Sequence, residues 1–195
     1  LFSARIIPYR GSWVEFEYDQ KNLLYVRIDR KRKFLGTIFL RALGLRSAED
    51  ILRQFYTVDR LAVRDKKLYW TVDPAAEKPT NLLGMKLTHK VATKSGEEIV
   101  HSGRKVTASI LKEIQKAKIT EIEIDNADLE GAWAASDIVD TTTGDVLLEA
   151  NSEVTPEVVA KVLDSNVVEM NLFFPERDDV GTVISQTLRR DAVKT

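Results

Sequence analysis

The chain has 195 residues, 44% of them hydrophobic, which is ample for a packed core in one domain or two small ones. It has no cysteine, which excludes a disulfide framework and any thiolate metal site, and no apolar run approaches the roughly 20 residues that span a bilayer. Net charge is −1, but residues 1–36 hold eight Lys or Arg against four Asp or Glu, whereas residues 119–180 hold two against sixteen. One part of the molecule can attract a polyanion and the other repels it.

Residues 13–28 read as a β-hairpin. Val14, Phe16 and Tyr18 alternate with Glu15 and Glu17; Leu24, Val26 and Ile28 alternate with Tyr25, Arg27 and Asp29. Directly opposed residues of an antiparallel pair share a face, so the apolar sets match only if 18 pairs with 24, 16 with 26 and 14 with 28. That register turns all six apolar side chains to the core and leaves Gln20-Lys21-Asn22 as a three-residue loop, with Asn22 in the left-handed closing position. It also sets Trp13 opposite Asp29 on the face away from the core, directly before the cations Arg30-Lys31-Arg32-Lys33. An aromatic beside cations suits an unstacked base together with its backbone. The ordinary alternatives are a packing role for Trp13 and a cap, or a salt bridge to Arg27 or Arg30, for Asp29.

Further along, residues 37–43 and 48–55 read as short helices. Gly44 closes the first, Ser47 caps the second with Asp50 three residues on, and Ile51, Leu52 and Phe55 form its apolar stripe. Residues 61–63 and 68–72 form a second hairpin around Arg64-Asp65-Lys66-Lys67. Pro74 to Pro79 is the linker candidate.

The remainder repeats with a shift of 48. Val91 falls on Val139, Gly96 on Gly144, Val106 on Val154, Thr107 on Thr155, and Ile110, Ile114 and Ile119 on Val158, Val162 and Val167. Each copy, about 88–124 and 136–172, reads as strand, glycine turn, strand, Thr-capped helix and closing strand, and Pro156 occupies the favoured first helical position.

No catalytic constellation is legible. His89 and His101 are the only histidines and lack ligand spacing, so the metal reading is none. Ser12 has no nucleophile-elbow context, and Glu149, Glu153, Glu157 and Asp164 read as a solvated face. No cofactor motif is present.

The strings ARIIPYRGSW, FEYD, VRIDRKRK and TIFLRALG closely resemble the lobe of the bacterial RNA polymerase beta subunit, continuously to about residue 55 and again, weakly, at Ile184–Arg189. The resemblance implies an α+β lobe fragment, residues 1–55 and 176–195, of hairpin plus short helices. Residues 56–175 are then a lineage-specific insertion of two similar strand–strand–helix–strand modules. It implies membership of a nucleotidyltransferase, DNA-directed RNA polymerase, with no catalytic residue in this segment. In that family the Trp and Asp at the places of Trp13 and Asp29 touch the non-template strand near the start site: the Trp stacks on a base and the Asp accepts from a flipped guanine. Arg30 and Arg32 match family cations beside that pocket, and Lys31 replaces an Arg. The implied partners are DNA, the beta prime, alpha and sigma subunits, and regulatory proteins at the insertion, with a cytoplasmic, nucleoid-associated location and no membrane. Leu1 is not an initiator Met, so the sequence is expected to be an excerpt. Two rivals stand beside this reading: a protein-binding module whose basic run docks an acidic partner, and a small hydrolase with carboxylate chemistry.

Overall fold

The computed structural model describes residues 2–74, 80–93, 96 and 98–193. Of the expected linker, residues 75–79 lie outside the described residues. The chain is α+β and divides into two compact units, Leu1–Tyr56 with Pro175–Thr195, and Thr57–Phe174.

The first unit is built on a four-stranded antiparallel sheet in the order β1 (Phe2–Ile6), β2 (Val14–Tyr18), β3 (Leu24–Ile28), β4 (Phe34–Leu35). The hairpin register is the expected one: Tyr18 opposes Leu24, Phe16 opposes Val26 and Val14 opposes Ile28. The Asp19 N–H donates to the Leu23 carbonyl at 3.2 Å, leaving residues 20–22 as the loop, and Asn22 adopts φ 55°.

Burial departs from the expectation at one residue. Val26 is fully buried, and Val14, Phe16, Leu24 and Ile28 are half-buried, but Tyr18 is 37% exposed. The covering helices, α1 (Gly36–Ala42) and α5 (Val183–Arg190), pack over β3. Tyr18 ends β2 beside the edge strand, where its ring lies 5.8 Å from that of exposed Phe2.

Gly36 opens α1 where a Cβ would lie 2.7 Å from the Leu24 side chain, so the helix reaches the sheet this closely only with glycine there. Gly44, at φ 113°, ends the same helix. Helix α2 (Ala48–Phe55) carries the full capping box: the Asp50 N–H donates to the Ser47 hydroxyl, and the Ser47 N–H to the Asp50 carboxylate, each at 3.0 Å. Its Ile51 and Leu52 are fully buried. Tyr56 ties α2 to α5, donating to the Gly181 carbonyl at 2.8 Å and accepting from the Ser185 N–H at 3.1 Å.

The second unit holds a five-stranded antiparallel sheet. The hairpin of β5 (Asp59–Arg64) and β6 (Lys67–Thr71) sits at its middle, with β9 (Glu121–Ile124) on the β6 side. On the β5 side come β13 (Glu169–Phe173) and then β10 (Trp133–Ala134). The remaining pieces are β7 (Val91–Ala92) paired with β8 (Glu98–Val100), α3 (Ala108–Lys116), β11 (Ile138–Val139) paired with β12 (Val146–Leu148), and α4 (Pro156–Asp164). Strand β12, helix α4 and the start of β13 each lie 48 residues after β8, α3 and β9. Thr107 and Thr155 cap their helices identically, accepting from Ile110 and Val158 at 3.4 Å. Trp70, fully buried, stacks on Phe174 at 6.0 Å within one continuous core. The opposite side of the sheet is laced by the ion pairs Arg60–Glu169, Arg64–Glu121 and Lys67–Glu123.

Candidate nucleic-acid interface

Strand β3 stops at Ile28 because Asp29 and Arg30 both turn left-handed, at φ 51° and 58°, and the Lys31 N–H closes the turn on the Ile28 carbonyl at 3.1 Å. Two left-handed central residues define the tight turn that matches strand twist, and aspartate is one of the few non-glycine residues that tolerates the first of them. The turn keeps Asp29 against the start of β2. Its N–H donates to the Trp13 carbonyl at 2.9 Å, and its carboxylate accepts the Trp13 N–H at 2.8 Å. The expected juxtaposition of Trp13 and Asp29 is therefore present. Asp29 bridges to neither Arg27 nor Arg30, because its carboxylate is taken up by the backbone opposite.

A hydrogen bond from the Ser12 side chain, then the Trp13 N–H and the nearby charge of Lys31, hold the Asp29 carboxyl below its usual range. At neutral pH it is a fixed, ionised acceptor, exposed to solvent. Arg30 leaves the same turn and lays its guanidinium over the Trp13 indole, 5.5 Å from the ring centre. Gly11, Trp13, Asp29 and Arg30 line a surface hollow of about 340 Å³. Arg32 stands apart from the hollow's lining on the exposed run that follows; neither it nor Lys31 forms an ion pair among the described residues.

Two further residues of this face, Arg5 and Ser12, were not assigned a part in it by the sequence. Arg5, on β1, places a second guanidinium 5.6 Å from the Trp13 ring centre and is itself paired with Glu15. An exposed cation over an indole contributes about 0.5–1 kcal/mol. Ser12 steadies Asp29. At the far end of the same face Lys33 lies 4.2 Å from the Tyr25 ring centre and 3.0 Å from Glu17, whose carboxyl it draws below the usual range with help from Arg27. The signal for Arg5 was its pairing with Glu15 across β1 and β2, which becomes visible only once residues 2–6 are recognised as a strand.

Elsewhere, His89 lies 3.0 Å from Asp125, and His101 lies 2.9 Å from Glu98, which also pairs with Lys90. Among the described residues no group of three or more His, Asp or Glu is arranged to hold a metal ion, and no helix is long and apolar enough to cross a membrane.

A family model described as RNA polymerase Rpb2, domain 2, matches residues 1–139. The DNA-directed RNA polymerase subunit beta of Koribacter versatilis (strain Ellin345) is 72% identical over 194 residues, covering 100% of this chain and 13% of that protein. The protein of the same name from Solibacter usitatus (strain Ellin6076) is 58% identical over 194 residues, with the same 100% and 13% coverage. The chain thus spans 13% of the length of the curated relatives it matches.

Proposed function

The chain belongs to the RNA polymerase Rpb2 domain 2 family, and from that premise we propose that it is the lobe portion of a DNA-directed RNA polymerase beta subunit whose task is to hold DNA. The observation that carries the reading is the exposed hollow in which Trp13, Asp29 and Arg30 meet. Stacking one base on an aromatic ring is worth about 1–3 kcal/mol. A fixed carboxylate beside that ring accepts from base amino or imino groups and discriminates between bases, where a cation alone does not. Arg32, exposed and without an ion pair among the described residues, supplies attraction to phosphate without sequence preference. No step of phosphoryl transfer falls to these residues: the chemistry of the nucleotidyltransferase belongs to other parts of the enzyme, with the beta prime, alpha and sigma subunits as partners.

In this reading residues 1–55 and 176–195 are lobe, and residues 56–175 are an accessory insertion that faces proteins rather than DNA. Its support is charge: the acidic residues 119–180 repel a polyanion, while the cations of β5 and β6 are engaged with Glu121, Glu123 and Glu169.

The test is the lifetime of open complexes formed by the intact polymerase on templates that vary the non-template bases near the start site. Asp29→Asn keeps an oxygen for the Trp13 N–H but loses the charge. It is expected to reduce the preference for guanine at one position by roughly tenfold, the value of one base-edge contact. Arg32→Ala is expected to weaken all templates alike and to lower the salt dependence by about one counterion. Equal effects of Asp29→Asn on every template would show that Asp29 only braces the hairpin.

A further inference from the structure

Two guanidiniums share the Trp13 indole, and they are not equivalent. Arg5 comes from β1 and Arg30 from the turn after β3, so they reach the ring from the strands on either side of β2. Arg5 is paired with Glu15, whose side chain is only 17% exposed, and Arg5 does not line the hollow. Arg30 does line it, is exposed, and forms no ion pair among the described residues. A base entering the hollow therefore meets Arg30 over the ring, not Arg5.

We propose that Arg5, pinned by Glu15, is a positioning residue that fixes the Trp13 indole, while Arg30 is a displaceable placeholder that occupies the stacking position until a base takes it. The inference rests on the reading that a base meets Trp13, and adds to it an assignment of roles. Stacking a base outweighs one exposed cation–π contact on the magnitudes given above, so the exchange runs toward the base. It also releases the Arg30 guanidinium for the phosphates beside that base, so the same side chain guards an apolar ring in the empty site and adds charge attraction in the filled one. Arg5 cannot follow, because leaving the ring would strand the largely covered Glu15 carboxylate without its partner. The left-handed backbone of Asp29 and Arg30 fits this division: it sends the Arg30 side chain out of the sheet, where it is free to swing, whereas Arg5 is held within the register of β1 against β2.

The experiment places 2-aminopurine, a base whose fluorescence is quenched by stacking, at successive non-template positions of a promoter bound by the intact polymerase. Emission is normalised to the amount of open complex formed, so a variant that merely binds or folds less well leaves the normalised signal unchanged. Trp13→Ala is expected to raise emission at one position; if it does so nowhere, the base-contact reading fails and this inference with it. At that position Arg5→Gln and Glu15→Gln are each expected to shift the stacked-to-unstacked ratio by about twofold toward unstacked, what one exposed cation–π contact supports. Arg5→Lys is expected to recover most of it. Arg30→Gln is expected to leave the ratio at or above the wild-type value while weakening complex formation at low salt. With Trp13→Ala behaving as expected, wild-type emission from both Arg5→Gln and Glu15→Gln would overturn the positioning role. An Arg30→Gln variant that unstacks the probe as much as Arg5→Gln would overturn the placeholder.

Discussion

The two units contain the same turn put to opposite uses. Ile28-Asp29-Arg30-Lys31 and Arg64-Asp65-Lys66-Lys67 each place an aspartate and then a cation in the left-handed region, at φ 51° and 58° in the first and 50° and 58° in the second. In the second unit the cations around the turn are neutralised at once: Lys66 by Asp164 at 2.8 Å, Lys67 by Glu123 at 2.7 Å, and Arg64 by Glu121. In the first, Arg30 rests on an indole, and Lys31 and Arg32 form no ion pair among the described residues. The turn is a local solution to reversing a twisted strand. Whether its charges remain available to a polyanion depends on what lies beside it: glutamates on β9 and Asp164 at the end of α4 in one case, the Trp13 end of β2 in the other.

The units also differ in how they are held. The second rests on a broad core centred on Trp70, fully buried against Phe174. Trp70→Ala removes the largest of its fully buried side chains and is expected to cost about 3–5 kcal/mol, the usual penalty for an aromatic-to-alanine cavity. Urea unfolding of the 195-residue chain, followed by amide exchange in β6 and β9, checks it. A loss far below this range would mean that the sheet can collapse onto the space.

The first unit has a thinner core and relies on polar ties, among them the buried Tyr56. Burial pushes the Tyr56 phenol up from 10.0 to about 12. The folded state thus favours the neutral phenol, so this contribution is complete below pH 10.0 and is lost as pH rises from there to about 12. Over that window the loss is on the order of 2–3 kcal/mol. Tyr56→Phe is expected to be less stable at neutral pH, through its lost bonds to Gly181 and Ser185, yet to lack this alkaline step. Urea midpoints measured through the alkaline range distinguish the two, and identical pH profiles for Tyr56→Phe and the parent would remove Tyr56 as the cause.

These contrasts bear on what a sequence can reveal. The β2–β3 register was legible because alternation and pairing constrain each other, and α2 because Ser47 and Asp50 announce its start. Strand β1 was not legible: Phe2–Ile6 is exposed throughout, so no buried face imposes a period on it. Helix α5 was equally silent, since Thr182 provides no side-chain cap. Missing β1 hid Arg5, and with it the second cation on Trp13. Tyr18 was misjudged for a related reason: alternation reports which face a residue is on, not whether a helix covers that part of the face. The juxtaposition of Trp13 with Asp29 and Arg30 was legible because one hairpin sets it.

The smallest expected effect separates the two segments offset by 48 residues. Thr107 and Thr155 make the same capping bond at the same 3.4 Å, which predicts similar losses of about 0.5–1 kcal/mol for Thr→Ala at each. The contexts differ in one respect: α4 begins with Pro156, whose fixed φ pre-forms the first turn, while α3 begins with Ala108. Thr107→Ala is therefore expected to be the more costly of the two by a few tenths of a kcal/mol. The caps share no partner, so the double variant is expected to show the sum of the single losses. Urea midpoints of the three variants read this directly. A double variant that loses much more than the sum would mean that the two helix starts are coupled through the core they share.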